Sequence, residues 1–525
     1  MDSMLFYHGD ILTMEAREDR PEAVVVEDGR IARVGTLEEA LNFAPKAERV
    51  DLEGQTLMPA FIDAHSHITS FATTLGIVSL AGAESLDEVR DRIRTYAKER
   101  KVAAGKWIVG FGYDHNDLAE GRHPTRWDLD DASPDCPVLI AHASGHMGVV
   151  NSLGLQELGI DKDTPDPEGG VIGRREGEPT GYLEERAFTQ RSAGVMRPTM
   201  EETLALLDEA QRVYLSYGIT TAQDGLVREA EWRVLEAAAR TERLILDVVG
   251  YVDLEEADIL RGNPQYQNYV HRLRLGGYKM FLDGSPQGRT AWMSEPYANG
   301  EDGYRGYPIH GDDEVRTMIE TALREERQLL VHCNGDAAAQ QYIDAMERAL
   351  QKCPKAIRPV MIHAQTVRPD QLKIMAELPI IASFFVAHTY FWGDVHRVNL
   401  GEARANRISP VKTALQDGVV YTFHQDTPVV PPDMMKTVWC AVNRLTKGGT
   451  VLGEGERISV YDALMAVTRN AAYQYFEENE KGSIKAGKLA DLVVLGKNPL
   501  TAEPMELADI PVVATYKEGR KVYQQ

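Results

Sequence analysis

The stretch Phe61-Ile62-Asp63-Ala64-His65-Ser66-His67 decides how the chain is read. A β-type run ends there in two histidines spaced i, i+2. In a strand those positions point the same way, so His65 and His67 present two imidazoles to one side, as a metal-binding pair would. Asp63 shares that parity and can orient a ligand from behind. Alone the pair says little, because histidines also serve as ordinary core or surface residues. Its weight comes from other β-type runs. Lys279 lies within Gly276 to Gly284, His332 ends Leu329 to His332, His363 ends Val360 to His363, and Asp426 follows Val419 to Phe423. In a (β/α)8 barrel such strand ends meet at one mouth. Four imidazoles and a carboxylate converging there form a binding set for divalent transition metals.

The sequence around these runs supports that layout. Ser85-x-x-Glu88 and Thr199-x-x-Glu202 are capping boxes that open helices, and Gly218 closes the second before Ile219-Thr220-Thr221. Helices from about Ala337 and Pro369 separate the later strands. Strand–helix alternation points to a parallel sheet or barrel, and no GxGxxG turn follows the early strands. Both chain ends read differently. Ala23 to Val26 and Ile31 to Val34 flank Asp28-Gly29 as a hairpin, and Ala490 to Leu495 and Pro511 to Tyr516 are further β runs. The expected architecture is α/β: a (β/α)8 TIM barrel over 57–479, a small discontinuous β-sandwich from 1–56 and 480–525, and an insertion at about 80–195 near the barrel mouth.

Composition narrows the function. Lys plus Arg is 57 and Asp plus Glu is 80, a formal charge of −23. Such an anion is not drawn to nucleic acid or to an anionic membrane. No run reaches about 18 apolar residues, so no membrane span is expected. The four cysteines form no close pair of zinc-knuckle or redox spacing. These features fit a cytoplasmic protein with reduced thiols.

Met58-Pro-Ala-Phe-Ile-Asp-Ala-His-Ser-His67 resembles the entry motif of the amidohydrolase superfamily, with Ala60 in place of the usual glycine. Gly145 to Ser152, Gly177 to Leu183, Lys279 to Ser285 and Val331 to Asp336 resemble its YtcJ-like branch, which includes N-substituted formamide deformylases. Gly482 to Leu495 resembles the superfamily's small β domain. The resemblance implies a two-metal centre: His65, His67 and Asp426 on the more buried ion, His332 and His363 on the second, and Lys279 carboxylated by carbon dioxide to bridge them. It implies zinc, with iron, manganese or cobalt as alternatives, and a small-molecule substrate. Many relatives are dimers.

The resemblance implies hydrolysis of an amide C–N bond, in an N-acyl or N-formyl amine, and the residue set would supply a metal-activated water for it. Asp426 acts as general base and then acid. Tyr113, His142, His146 and His424 are candidate substrate contacts or oxyanion donors. A plain Lys279, salt-bridged to Asp283 or Asp426 beside a single ion, is the alternative to the carbamate. The same centre also suits an esterase, deaminase or decarboxylase, and a degenerate barrel suits a non-catalytic binding protein.

Overall fold

The computed structural model describes residues 3–192, 195 and 198–525. Contacts divide the chain into two units, Met1–Thr69 with Ala210–Gln525, and Ser70–Glu209. Residues 193 and 194, at the end of the expected insertion, lie outside the described residues.

The first unit is built on a curled eight-stranded parallel sheet of TIM-barrel type. Its strands are β1 (Phe61–Ile62), β2 (Ile219–Val227), β3 (Asp247–Asp253), β4 (Leu273–Phe281), β5 (Gln328–Cys333), β6 (Val360–His363), β7 (Ile381–Phe384) and β8 (Tyr421–Phe423). They neighbour one another in chain order. β3, β6 and β7 are buried at every residue, because helices cover a parallel sheet that is also filled inside. The helix Asp336–Lys352 shows the matching pattern: Ala338, Tyr342, Ala345, Met346 and Ala349 recur at helical spacing and are buried. The two edges of the sheet are tied just beyond their strands. His67 N–H donates to Thr427 O at 2.8 Å, and Asp426 N–H donates to His65 O at 3.3 Å.

Two smaller sheets accompany the barrel in this unit. One runs Arg30–Gly35, Ala23–Glu27, Ser3–Tyr7, Glu48–Asp51. The expected hairpin forms there, with Asp28 and Gly29 both at positive φ (49° and 79°), the turn that matches strand twist. The other runs Asp10–Ile11, Thr56–Pro59, Leu492–Leu495, Val512–Lys517, Arg520–Gln524, so segments far apart in sequence pair directly. Phe6 of the first sheet and Tyr516 of the second meet edge to face, 5.1 Å between centroids, in a shared apolar cluster.

The second unit carries a six-stranded sheet: Gly170–Arg175, Glu178–Glu185, Met147–Val150, Val138–His142, Ile108–Tyr113, Val78–Ser79. Its helix Leu86–Glu99 starts at Ser85, whose hydroxyl accepts from Glu88 N–H. The reciprocal half of that predicted box is missing, because Glu88 instead accepts from Glu84 N–H and Arg92. The Thr199–Glu202 box is complete.

A buried charge network anchors the start of β3 to the C-terminal strands. Asp247 Oδ2 accepts from Lys481 Nζ at 2.5 Å and Lys517 Nζ at 2.8 Å, and Lys517 also reaches Asp491 at 2.7 Å. Burial works to raise the Asp247 carboxyl, but the two ammonium groups outweigh it and hold it well below the usual carboxylate range. Replacing Asp247 by Asn leaves buried ammoniums short of a partner, and the expected loss is about 3–5 kcal/mol in denaturant unfolding. Because the folded pKa is depressed, this contribution is complete above an unfolded value of about 4 and fades as pH falls below it. Wild type and Asp247→Asn are therefore expected to differ fully at pH 7 and to converge in strong acid.

Candidate metal centre

Strict strand parity does not bring the two histidines of the opening motif together, since β1 ends at Ile62. Asp63 Oδ1 accepts from His65 N–H at 3.2 Å, which takes that group out of the ladder. The segment is then pinned from outside. Tyr475 hydroxyl donates to Asp63 O at 2.6 Å, and Gln223 and Gln474 amides both donate to Ala64 O at 2.8 Å. The imidazoles still converge: Asp426 Oδ1 lies 3.4 Å from His65 Nε2 and 3.2 Å from His67 Nε2.

The remaining predicted ligands join them. Lys279 Nζ is 3.3 Å from His65 Nε2, His332 Nδ1 is 3.1 Å from His363 Nε2, and His363 Nε2 is 3.9 Å from Asp426 Oδ2. Ligands about 2.0–2.1 Å from a tetrahedral ion are separated by about 3.3 Å, so these spacings are those of ligand atoms around a metal. His65, His67 and Asp426 meet the geometric requirement of a three-ligand site.

The outer contacts fix which ring nitrogen faces inward. His65 Nδ1 meets Gln223 Oε1 at 2.6 Å and so donates, leaving Nε2 as the free donor atom. A methyl group on Gly225 would lie 2.4 Å from His65 Cε1, so only glycine leaves room for that ring. His332 Nε2 donates to Gly284 O at 3.2 Å, which leaves Nδ1 for His363 or an ion. His424 sits behind His363, with Nε2 3.2 Å from His363 Nδ1 and its own Nδ1 2.8 Å from Ser383 Oγ. Gln223, Gly225 and Ser383 carry no motif, and sequence reasoning missed them. Asp336 accepts from Ser294 N–H at 2.8 Å and Arg368 at 3.1 Å. The His332 loop is held by Asp283, which accepts from Asn334 and Gly335 N–H at 2.9 and 2.7 Å.

Electrostatics favour a cation here. Burial pulls His332 down to about 4, and burial puts His65 and His363 well below the usual histidine range, so these imidazoles are neutral donors. Burial likewise pulls Lys279 down to about 7 against the raising effect of Asp426. For Asp426, burial works upward, but hydrogen bonding from His67 and the neighbouring imidazoles hold its carboxyl well below the ordinary range. Its Oδ1 atom is buried between the His65 and His67 rings. Asp426 (φ 55°) and His363 (φ 76°) both sit in the left-handed region, a strain that non-glycine residues hold at functional sites.

The other sequence candidates belong to the second unit. Tyr113 and His142 come together there, with ring centroids 5.3 Å apart, and Tyr113 hydroxyl meets His123 Nδ1 at 3.1 Å. His146 instead pairs with Glu185 at 3.2 Å and is exposed.

Comparison with known proteins places the chain in a family. The N-substituted formamide deformylase of Arthrobacter pascens is 30% identical, covering 100% of this chain and 99% of its own length. The putative amidohydrolase YtcJ of Bacillus subtilis is 28% identical, covering 99% of each chain. A crystal structure of an uncharacterized metal-dependent hydrolase from Pyrococcus furiosus superposes with a TM-score of 0.77 at 29% identity, over 95% of this chain and 100% of that one. The model of the amidohydrolase family matches residues 48–523, and the chain belongs to that family.

Proposed function

We propose that the protein is a metal-dependent amidohydrolase that cleaves the C–N bond of a small N-acyl or N-formyl amine. The observation that carries this reading is the convergence of His65 Nε2 and His67 Nε2 on Asp426 Oδ1 at 3.4 and 3.2 Å. The formamide deformylase among its relatives favours the amide class and the formyl group. An ester, deamination or decarboxylation substrate has no comparable support on this chain.

His65, His67 and Asp426 would hold one ion, and His332 with His363 a second, zinc being suited to these N and O donors. A divalent ion bound there supplies Lewis acidity and brings the pKa of a water toward neutrality. Asp426 uses Oδ1 toward the His65–His67 pair. Its Oδ2 takes the proton of the attacking water and returns it to the leaving nitrogen. Burial draws Lys279 down to about 7, so a sizeable share of its amine is neutral near pH 7. Addition of carbon dioxide forms an N–C bond, releases the ammonium-type proton to solvent, and leaves an anionic carbamate suited to bridging two cations. His424 acts by holding the His363 ring. Tyr113, His142 and His146 remain the candidates for substrate contact. The two terminal sheets fit a small discontinuous β-sandwich over 1–56 and 480–525, beside a barrel over 57–479. Among the described residues no helix is long and apolar enough to cross a membrane, and we place the enzyme in the cytoplasm.

The test is hydrolysis by zinc-loaded protein of N-alkylformamides, N-acetyl amines and matched esters, followed by amine or alcohol release. Amine release from the amides is expected, and ester cleavage without any amide cleavage would overturn the reading. Asp426→Asn is expected to lower kcat by about 10²–10⁴-fold. Gln223→Ala, which frees the His65 ring without touching an ion, is expected to weaken metal affinity about 10- to 100-fold in competition with a chelating dye.

A further inference from the structure

A second group of ligand-type side chains lies wholly within Ser70–Glu209. Ile108–Tyr113 and Val138–His142 are adjacent parallel strands, paired up to Tyr113 and His142. Asp114 and His115 directly follow the first strand and His142 ends the second, so all three side chains gather at the C-terminal ends of two neighbouring strands. His115 Nδ1 lies 3.3 Å from His142 Nε2, His142 Nε2 lies 3.4 Å from Asp114 Oδ1, and His115 Nδ1 lies 3.6 Å from Asp114 Oδ1. These are again close to the roughly 3.3 Å edge of a tetrahedron drawn around zinc. The barrel centre shows the same spacing between different residues.

We propose that Asp114, His115 and His142 form a further divalent-cation site, of zinc type, separate from the barrel ligands. The surrounding contacts suit that role. Asn116 donates both its backbone and side-chain N–H to Asp114 Oδ1 at 2.9 Å, which fixes the carboxylate in place. Ser144 offers His142 Nδ1 both an acceptor, its hydroxyl at 2.9 Å, and a donor, its backbone N–H at 3.0 Å. In the structure the backbone N–H makes Nδ1 the acceptor, so a cation at Nε2 would shift the imidazole proton to Nδ1, where the Ser144 hydroxyl can accept it. His123 stacks on His115 with centroids 4.0 Å apart, and Tyr113 hydroxyl at its Nδ1 holds it there. His115 is about one-third exposed and His142 is 9% exposed, so the cluster is reached from solvent without being a loose surface patch. Three protein ligands leave a fourth tetrahedral position for an exchangeable ligand.

The test is zinc stoichiometry by plasma mass spectrometry on the full-length, tag-free protein after zinc loading and passage over a weak chelator. Wild type is compared with His115→Ala and with Asp114→Asn, which keeps the shape of the carboxylate. Each variant is expected to lose one zinc ion per chain while the near-ultraviolet circular dichroism is unchanged. Equal zinc in all three proteins, or a loss in His115→Ala alone, would overturn the proposal. The readout is ion number in a chain with its barrel ligands intact, so it stands apart from whether the barrel hydrolyses amides.

Discussion

The architecture of the barrel centre depends on a charge that the protein alone does not balance. Asp426 is half-buried with its carboxyl held well below the ordinary range, and burial holds His65 and His363 well below the usual histidine range. A carboxylate in such surroundings is costly unless paired, and a divalent cation is the partner whose ligand spacing is already built in. The local backbone is arranged to keep this carboxylate in place. The bonds from His67 to Thr427 and from Asp426 to His65 join the two sheet edges at the very residues that would touch the ion. The left-handed conformations of Asp426 and His363 are the strained part of that closure.

Strain at one end of the barrel strands is offset by anchoring at the other. Asp247 at the start of β3 engages Lys481 and Lys517, and Arg272 before β4 pairs with Glu518. The chain's last strands therefore do more than decorate the fold. They fix the N-terminal ends of the barrel strands, while the C-terminal ends are left to carry ligands.

Much of this was legible in the sequence, for a physical reason. Residues able to bind metal are chemically rare types, and a barrel brings strand ends to one mouth, so His332, His363 and Asp426 could be picked out as candidate ligands from short apolar runs. The route by which His65 and His67 converge was not legible. Period-two reasoning assumes a strand, whereas an aspartate turn and three outside hydrogen bonds shape that segment. Gln223, Ser383 and Asp283 were invisible because a positioning residue needs only a common polar group at the right distance, and that distance spans up to 158 residues of chain for His65 and Gln223. The grouping of Asp114, His115 and His142 was likewise hidden, since it depends on parallel pairing of two strands that sequence marks only as apolar runs.

The central claim is that Asp426 and its imidazole neighbours hold a metal ion. The most direct measurement is anomalous diffraction at the zinc absorption edge from crystals of the zinc-loaded protein. The account predicts a strong peak about 2.0–2.2 Å from His65 Nε2, His67 Nε2 and an Asp426 oxygen. Density free of any anomalous peak at those atoms, with the Asp426 carboxylate paired to the Lys279 ammonium instead, would contradict it.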